Sequence, residues 1–161
     1  MKLITVLLVC ALAFAFNTAS AEDAPTALAE HNLQMLGNKI RVDKKMLVAG
    51  NMKLTDTEAA GFWPLYDVYQ QELNLLNKRT LAVIKTYAGQ YDAGALDDAT
   101  AEKLVREMIA IDEDTLKLNK SYLPKLLKVM PGMKVVRYMQ IERKIRAVVD
   151  YELSDAVPLV P

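Results

Sequence analysis

Apolar residues recur at alternating intervals of four and three positions in the centre of this 161-residue chain. An α-helix presents residues at this spacing on a single face, whereas a half-buried strand needs a period of two. The pattern predicts a helix over about residues 56–91, which begins at the capping-box pair Thr55 and Glu58. The stripe consists of Phe62, Tyr66, Tyr69, Leu73, Leu76, Thr80, Val83 and Tyr87.

A second stripe with the same spacing predicts another helix over about residues 98–129. Its first turns are acidic and its last turns are rich in lysine, which is the polarity that the helix dipole favours. The turn-rich segment YDAGALDD separates the two helices, so we expect them to form an antiparallel hairpin. The second stripe consists of Leu104, Met108, Ile111, Thr115, Leu118 and Tyr122.

Weaker stripes on either side predict flanking helices over about residues 26–51 and about residues 133–152. The tail, residues 154–161, has two prolines among its last four residues and is expected to be extended or frayed. Residues 22–153 are therefore predicted to form one all-α domain, a long kinked antiparallel helical hairpin with N-terminal and C-terminal helices beside it.

Two prolines interrupt the central stripes at equal distances from the loop. Pro64 and Pro124 each remove one helical hydrogen bond, and two kinks at one level predict a hairpin that bends as a whole. Gly61 is expected to give the first bend extra freedom. The alternative is that Pro64 begins a new helix after a short capped turn, because proline suits the first helical position.

The first 21 residues have the features of a secretory signal peptide. Lys2 is followed by an apolar run too short to span a membrane, and Ala19 and Ala21 precede the expected cleavage site. We therefore expect a periplasmic protein of about 140 residues that does not insert into the membrane after cleavage. The single cysteine, Cys10, lies in the removed segment, so the exported chain has no thiol.

The sequence offers few residues that are suited to catalysis or to cofactor binding. The exported chain has a formal net charge of about −1, which predicts no affinity for nucleic acid. The sole histidine, His31, has no readable nucleophile or acid beside it, and no glycine-rich phosphate loop is present. Residues 112–114 are acidic but point in different directions on a helix, which indicates a solvated face. We expect a non-enzymatic protein without a cofactor.

Three segments in this order carry a resemblance to a known family. LTDTEA, then FWPLYDVY, and later SYLPKLLKVMPGMKVVRYMQIERKIRA resemble the Spy/CpxP family of LTXXQ-motif periplasmic proteins over most of the exported chain. The first motif copy falls on Leu54, Thr55 and Glu58, with Glu58 where the family has Gln. The second copy is absent and MPGMKVVRYMQIE stands in its place, so the resemblance is to a divergent branch.

The resemblance implies a bent helical hairpin, two of which pair into an antiparallel, cradle-shaped dimer. Its concave face would hold unfolded or envelope proteins, or a membrane sensor domain. We expect an ATP-independent chaperone-like or envelope-stress-responsive protein. Two alternatives stay open: a metal-responsive sensor or buffer that uses His31 with Met130, Met133 and Met139, and a purely structural helical assembly protein.

Contacts to a client or partner are predicted at two places. Trp63 lies off the central stripe and could face the first helix, a second subunit or a client, whereas Phe62, Tyr66 and Tyr69 are interpreted as core. The last helix carries many basic residues, of which Arg146 is interpreted as an exposed partner of Glu142. The predicted binding residues are Trp63, Met130, Met133, Arg137, Arg143 and Arg146.

Overall fold

The computed structural model describes residues 43–160, and these residues form four α-helices and no strand. The all-α prediction is therefore confirmed for this part of the chain. The predicted signal peptide, most of the predicted first helix and His31 lie outside the described residues. The helices are α1, described over residues 43–52, α2 (Asp56–Asp92), α3 (Asp98–Val129) and α4 (Gly132–Ala156).

Side-chain caps set the starts of the two long helices. The Thr55 hydroxyl accepts a hydrogen bond from the Glu58 amide at 3.3 Å, and the Glu58 carboxylate accepts one from the Thr55 amide at 2.7 Å. This is the predicted capping box, and it satisfies amides that the first helical turn leaves without partners. In the same way, the Asp97 carboxylate accepts a hydrogen bond from the Thr100 amide at 2.8 Å and begins α3.

Helix α2 continues through Pro64 without a break, and α3 continues through Pro124. The alternative in which Pro64 begins a new helix is therefore wrong. The capping box fixes the start of α2 at Asp56, so the proline lies inside a helix that has already formed. Each proline leaves one backbone carbonyl without its usual helical donor, which costs about 3 kcal/mol in a helix interior.

Helices α2 and α3 pack against each other antiparallel. The Tyr69 hydroxyl donates to Asn119 Oδ1 at 2.8 Å, and the Tyr122 hydroxyl donates to Glu72 at 2.7 Å, so early α2 contacts late α3. Pro64 and Pro124 both lie between these contacts and the start of α2. The two prolines therefore occupy nearly the same level of the helix pair, as their spacing from the loop predicts.

The core lies at the end of the α2–α3 pair that is far from their connecting loop. There α1 and α4 pack onto the pair, and all four helices contribute side chains. Nearer the loop, the described part of α2 and α3 buries far fewer side chains, among them Val83 and Ile111. The core cluster comprises Val48, Met52, Phe62, Tyr66, Tyr69, Leu73, Leu118, Tyr122, Leu126, Met130, Val135 and Tyr138.

Gly61 lies in close contact with α3 in this core region. A Cβ atom placed at Gly61 would lie 2.8 Å from Cγ1 of Val129, closer than real side-chain contacts allow. The glycine is inside an uninterrupted helix with an ordinary φ. Glycine is therefore needed at this position because a larger residue would obstruct the packing of α2 against α3. The sequence predicted a different role, in which Gly61 makes the bend more flexible.

Replacing Gly61 by alanine is expected to lower the free energy of unfolding by about 1–3 kcal/mol, because Val129 must move to admit the methyl group. Urea denaturation followed by circular dichroism measures this change. Gly89 provides a matched control, since it is an exposed glycine in the same helix and a Cβ placed there would have no neighbour within 4 Å. Gly89→Ala is expected to stabilise the protein by about 0.5–1 kcal/mol. A stabilising Gly61→Ala would show that the close contact with Val129 is unimportant.

Candidate functional site

Aromatic rings fill the junction between α2 and α4. Phe62 is completely buried, and its ring meets that of Tyr138 edge to face with centroids 5.0 Å apart. Tyr66 and Tyr69 are buried beside them, as the core interpretation of the stripe requires. This cluster holds α4 against α2, since edge-to-face aromatic pairs add stabilisation beyond the area they bury.

Trp63 lies at the edge of the same cluster and faces α1. Its ring is half-buried, with centroid distances of 5.0 Å to Phe62 and 5.4 Å to Tyr66. The Lys45 ammonium of α1 lies 5.3 Å from the centre of the Trp63 ring, within the range of a cation–π contact. Of the three environments considered for Trp63, the structure shows the contact with the first helix.

A buried polar network joins α1, α2 and α4. The Lys44 ammonium donates to Glu142 Oε2 and to Gln70 Oε1, each at 2.8 Å. The Gln70 amide donates to Glu142 Oε1 at 2.8 Å, so both carboxylate oxygens have partners. The side chains of Lys44 and Glu142 are only 18% and 8% exposed.

The exposed Glu142–Arg146 pair predicted from the sequence is therefore wrong. Glu142 lies on the inner side of α4, and the described residues form no ion pair between it and Arg146. The sequence contains a signal for the burial of Glu142, because Val135, Tyr138 and Glu142 are spaced by three and four residues and share one helix face. The carboxylate falls on the buried stripe, where a lysine from another helix neutralises it.

The core tyrosines resist ionisation. Burial, followed by the charge of Glu142, raises the pKa of Tyr69 to about 12 and raises the pKa of Tyr66 and Tyr138 as well. Burial and the hydrogen bond to Glu72 raise the pKa of Tyr122 to about 12. These four phenols stay protonated in the folded protein at a pH where an unfolded chain ionises its tyrosines.

Tyrosine ionisation is therefore expected to leave the free energy of unfolding unchanged below a pH of about 10. The free energy of unfolding is expected to fall as the pH rises from about 10 to about 12. Above the ordinary tyrosine pKa the unfolded state releases protons that the folded state retains, so alkali favours unfolding. Urea midpoints across this pH range measure the fall. Tyr138→Phe keeps the ring and removes one ionisable group, so its pH dependence should be shallower. An unchanged slope in that variant would contradict the assignment.

A surface groove between α3 and the first half of α4 contains one of the predicted binding residues, Arg143. Its volume is about 230 Å³, and most of its lining is apolar with an arginine at its polar edge. We call it the α3–α4 groove; its lining residues are Leu123, Val135, Val136, Met139, Gln140 and Arg143. Val136 is 53% exposed, so part of the apolar lining is open to solvent.

The structure separates the other predicted binding residues. Met133, in the turn before Val136, is 83% exposed, and Arg137 is exposed as well. Arg146 is half-buried. Met130 is only 4% exposed and packs in the core, because it caps the end of α3 where α4 begins; its side chain is not a surface contact.

A larger, open cleft lies between α2 and α3 near their connecting loop. Its volume is about 690 Å³, and small, apolar and charged side chains line it. Arg79 crosses from α2 and donates to Glu107 at 2.9 Å and to Asp114 at 2.7 Å. The Arg79 and Lys117 hydrogen bonds hold the pKa of Asp114 below its ordinary value. Asp114 thus points away from the exposed Asp112 and Glu113, as the helix geometry predicts.

Within residues 43–160, no group of three His, Cys, Asp or Glu side chains is placed to hold a metal ion. No helix in this range is both long and apolar enough to cross a lipid bilayer. Comparison of the chain with models of protein families, with curated proteins and with solved structures finds no match.

Proposed function

We propose that this chain is a non-enzymatic, ATP-independent protein-binding protein of the periplasm, of the Spy/CpxP type. In this proposal it binds unfolded or envelope proteins, or a membrane sensor domain, and needs no cofactor. The expected signal peptide and the LTDTEA and FWPLYDVY segments support the compartment and the family. The proposal includes a bent α2–α3 hairpin that pairs with a second copy into a cradle.

The observation that carries the proposal is the number of large apolar side chains left in solvent on the helices. They occur on every described helix, with exposed fractions such as 64% for Met46, 62% for Leu75, 37% for Met108 and 71% for Tyr151. Charged residues separate most of them along the sequence. Dispersed apolar contacts suit the weak binding of many different unfolded segments, and the intervening charges keep a bound segment soluble.

The α3–α4 groove is the place where we expect a client segment to bind first. It offers an apolar lining, and the exposed Met133 lies one turn before Val136 on α4. Methionine is flexible and polarisable, so it adapts to clients of different shape. Arg137 and Arg143 place positive charge beside these apolar residues, which favours segments that combine apolar and acidic side chains.

The direct test is the aggregation of a chemically denatured client protein on dilution, measured by light scattering without ATP and with EDTA present. Suppression at a near-stoichiometric ratio is the expected result. A lack of suppression, both with EDTA and with added zinc, would overturn the chaperone-like function. Suppression that appears only with zinc would favour the metal-responsive alternative.

A pair of variants tests the groove itself. Val136→Glu puts a charge into the groove and is expected to weaken suppression several-fold, because a carboxylate must be desolvated when an apolar segment binds. Val68→Glu is the matched control, since Val68 is similarly exposed, at 47% against 53%, but lies on α2 outside the groove. Equal loss of activity in both variants would show that the groove has no special role.

A further inference from the structure

Helix α3 carries two apolar stripes, and α2 covers only one of them. The buried stripe, which includes Ile111, Leu118 and Tyr122, faces α2. Successive residues of an α-helix are about 100° apart around the helix axis. By this measure a second set of apolar residues spans about 40° of the circumference of α3, and the centre of this set lies roughly 120° from the centre of the buried stripe. We call this set the exposed α3 stripe; its members and exposed fractions are Val105 (59%), Ile109 (54%), Leu116 (53%), Leu123 (44%) and Leu127 (51%).

The exposed α3 stripe is symmetric about its central residue. From Leu116, the next apolar members lie seven and eleven residues away in both directions: Ile109 and Val105 before it, Leu123 and Leu127 after it. The stripe extends over about 33 Å at a rise of 1.5 Å per residue. Two such helices that run antiparallel, with a two-fold axis at Leu116, therefore bring apolar residues opposite one another along its whole length.

The charges beside the stripe are complementary under the same two-fold operation. Asp112 and Glu113 lie one turn before Leu116, and Asn119 and Lys120 lie one turn after it. An antiparallel pair centred on Leu116 places the acidic turn of each copy level with the Asn119–Lys120 turn of the other. Asp112, Glu113 and Lys120 are exposed and form no ion pair with another described residue, so these charges are free to pair across the interface.

Other arrangements of two α3 helices are less favourable. A parallel pair in register places the acidic turns of both copies side by side, and like charges repel. The antiparallel register can also be changed by sliding one α3 helix along the other by one heptad. If the two-fold axis thereby moves toward the N-terminus of α3, Asp112 of one copy lies opposite Glu113 of the other, and Lys120 lies opposite Val105. A shift toward the C-terminus puts Asp112 opposite Leu127. Among these, the register centred on Leu116 is the one that pairs apolar with apolar and acid with base.

From this symmetry we propose that two copies of the chain associate antiparallel through the exposed α3 stripe, with the two-fold axis at Leu116. The inference rests on the homodimer included in the proposed function and assigns its interface. The exposed α3 stripe ends at Leu127, close to the α3–α4 turn, where a Cβ atom at Gly132 would lie 3.9 Å from Leu127. Each α3–α4 groove would then border the interface, next to the N-terminal end of the partner's α3.

The first test is the molar mass of the chain in solution, measured by sedimentation equilibrium. The parent is expected to be a dimer, and Leu116→Glu is expected to weaken association at least ten-fold, because it places two carboxylates against each other on the axis. Leu75→Glu is the control, since Leu75 is 62% exposed on α2 and lies outside the stripe. Circular dichroism checks that both variants remain helical.

A charge exchange separates the interface from a general loss of folding. Lys120→Glu alone sets acidic residues of one copy against acidic residues of the other and should weaken the dimer. Adding Asp112→Lys and Glu113→Lys restores opposite charges and should restore association. In a Cys10→Ser background, Leu116→Cys is expected to form a disulfide-linked dimer on mild oxidation, because the two residues meet on the axis, and Leu75→Cys is not.

The outcomes distinguish this interface from the proposed function. A dimer that survives Leu116→Glu, or a charge exchange that fails to restore association, overturns the interface and leaves the homodimer itself standing. A monomeric parent overturns both the interface and the homodimer. Client binding is measured separately by the aggregation assay, which does not depend on the mass of the protein.

Discussion

Replacing Phe62 by alanine is expected to lower the free energy of unfolding by about 3–5 kcal/mol. Phe62 is completely buried and touches the rings of Trp63, Tyr66 and Tyr138, with centroids 5.0–5.8 Å away. The substitution removes the ring's transfer free energy and leaves a cavity that stiff aromatic neighbours fill poorly. Domains of this size have a stability of about 5–15 kcal/mol, so the loss removes a large share of the total.

Urea denaturation of the parent and of Phe62→Ala measures this loss. Leu75→Ala is the matched control: it shortens an apolar side chain of the same helix that is 62% exposed, and the expected change is within about 0.5 kcal/mol. Phe62→Leu should lie between the two, since it retains part of the buried volume. A loss below about 1 kcal/mol for Phe62→Ala would mean that the four-helix core is not assembled as described.

Removing the Glu142 carboxylate is the second change with a large expected effect. Glu142→Ala leaves the largely buried Lys44 ammonium and the Gln70 amide without their shared acceptor. An uncompensated buried charge is costly, so the expected loss is about 3 kcal/mol at neutral pH. Because the network joins α1, α2 and α4, α1 should also become more open to hydrogen exchange in this variant.

A double replacement identifies the mechanism. Lys44→Met with Glu142→Met removes both charges and keeps side chains of similar length, so it should recover most of the lost stability. Glu102→Ala is the control, because Glu102 pairs with Arg106 at an exposed site, 63% exposed for the glutamate side chain, where such pairs contribute about 1 kcal/mol or less. If Glu142→Ala and Glu102→Ala cost the same, the network does not stabilise the fold.

The sequence predicted the two long helices well, for a physical reason. The 4, 3 spacing of their stripes depends on the backbone geometry of the helix and continues for more than three heptads in α2, so local chance patterns do not imitate it. The structure has α2 over Asp56–Asp92 and α3 over Asp98–Val129, against predictions of about 56–91 and 98–129. Capping is equally local, which is why Thr55 and Glu58 could be recognised three residues apart.

The environment of single residues was predicted less well. Met130 and Glu142 were interpreted as surface residues, yet both are buried. A methionine after a helix end and a glutamate among basic residues are typical of surfaces, and only the path of α4 across α2 and α3 encloses them. The same holds for Gly61. Only glycine fits at this position because Val129 lies close to it, and Val129 is distant in sequence.

Helix α3 shows most clearly which features follow from the sequence and which follow from tertiary packing. Its sequence determines that two apolar faces exist, since both follow from the spacing of residues along one helix. The sequence also determines the helical class of the chain, the caps and the level at which the prolines lie. Which of the two faces enters the core is decided only by tertiary packing. Burial depends on which helix lies alongside, and contacts between residues far apart in sequence leave no periodic trace in either segment.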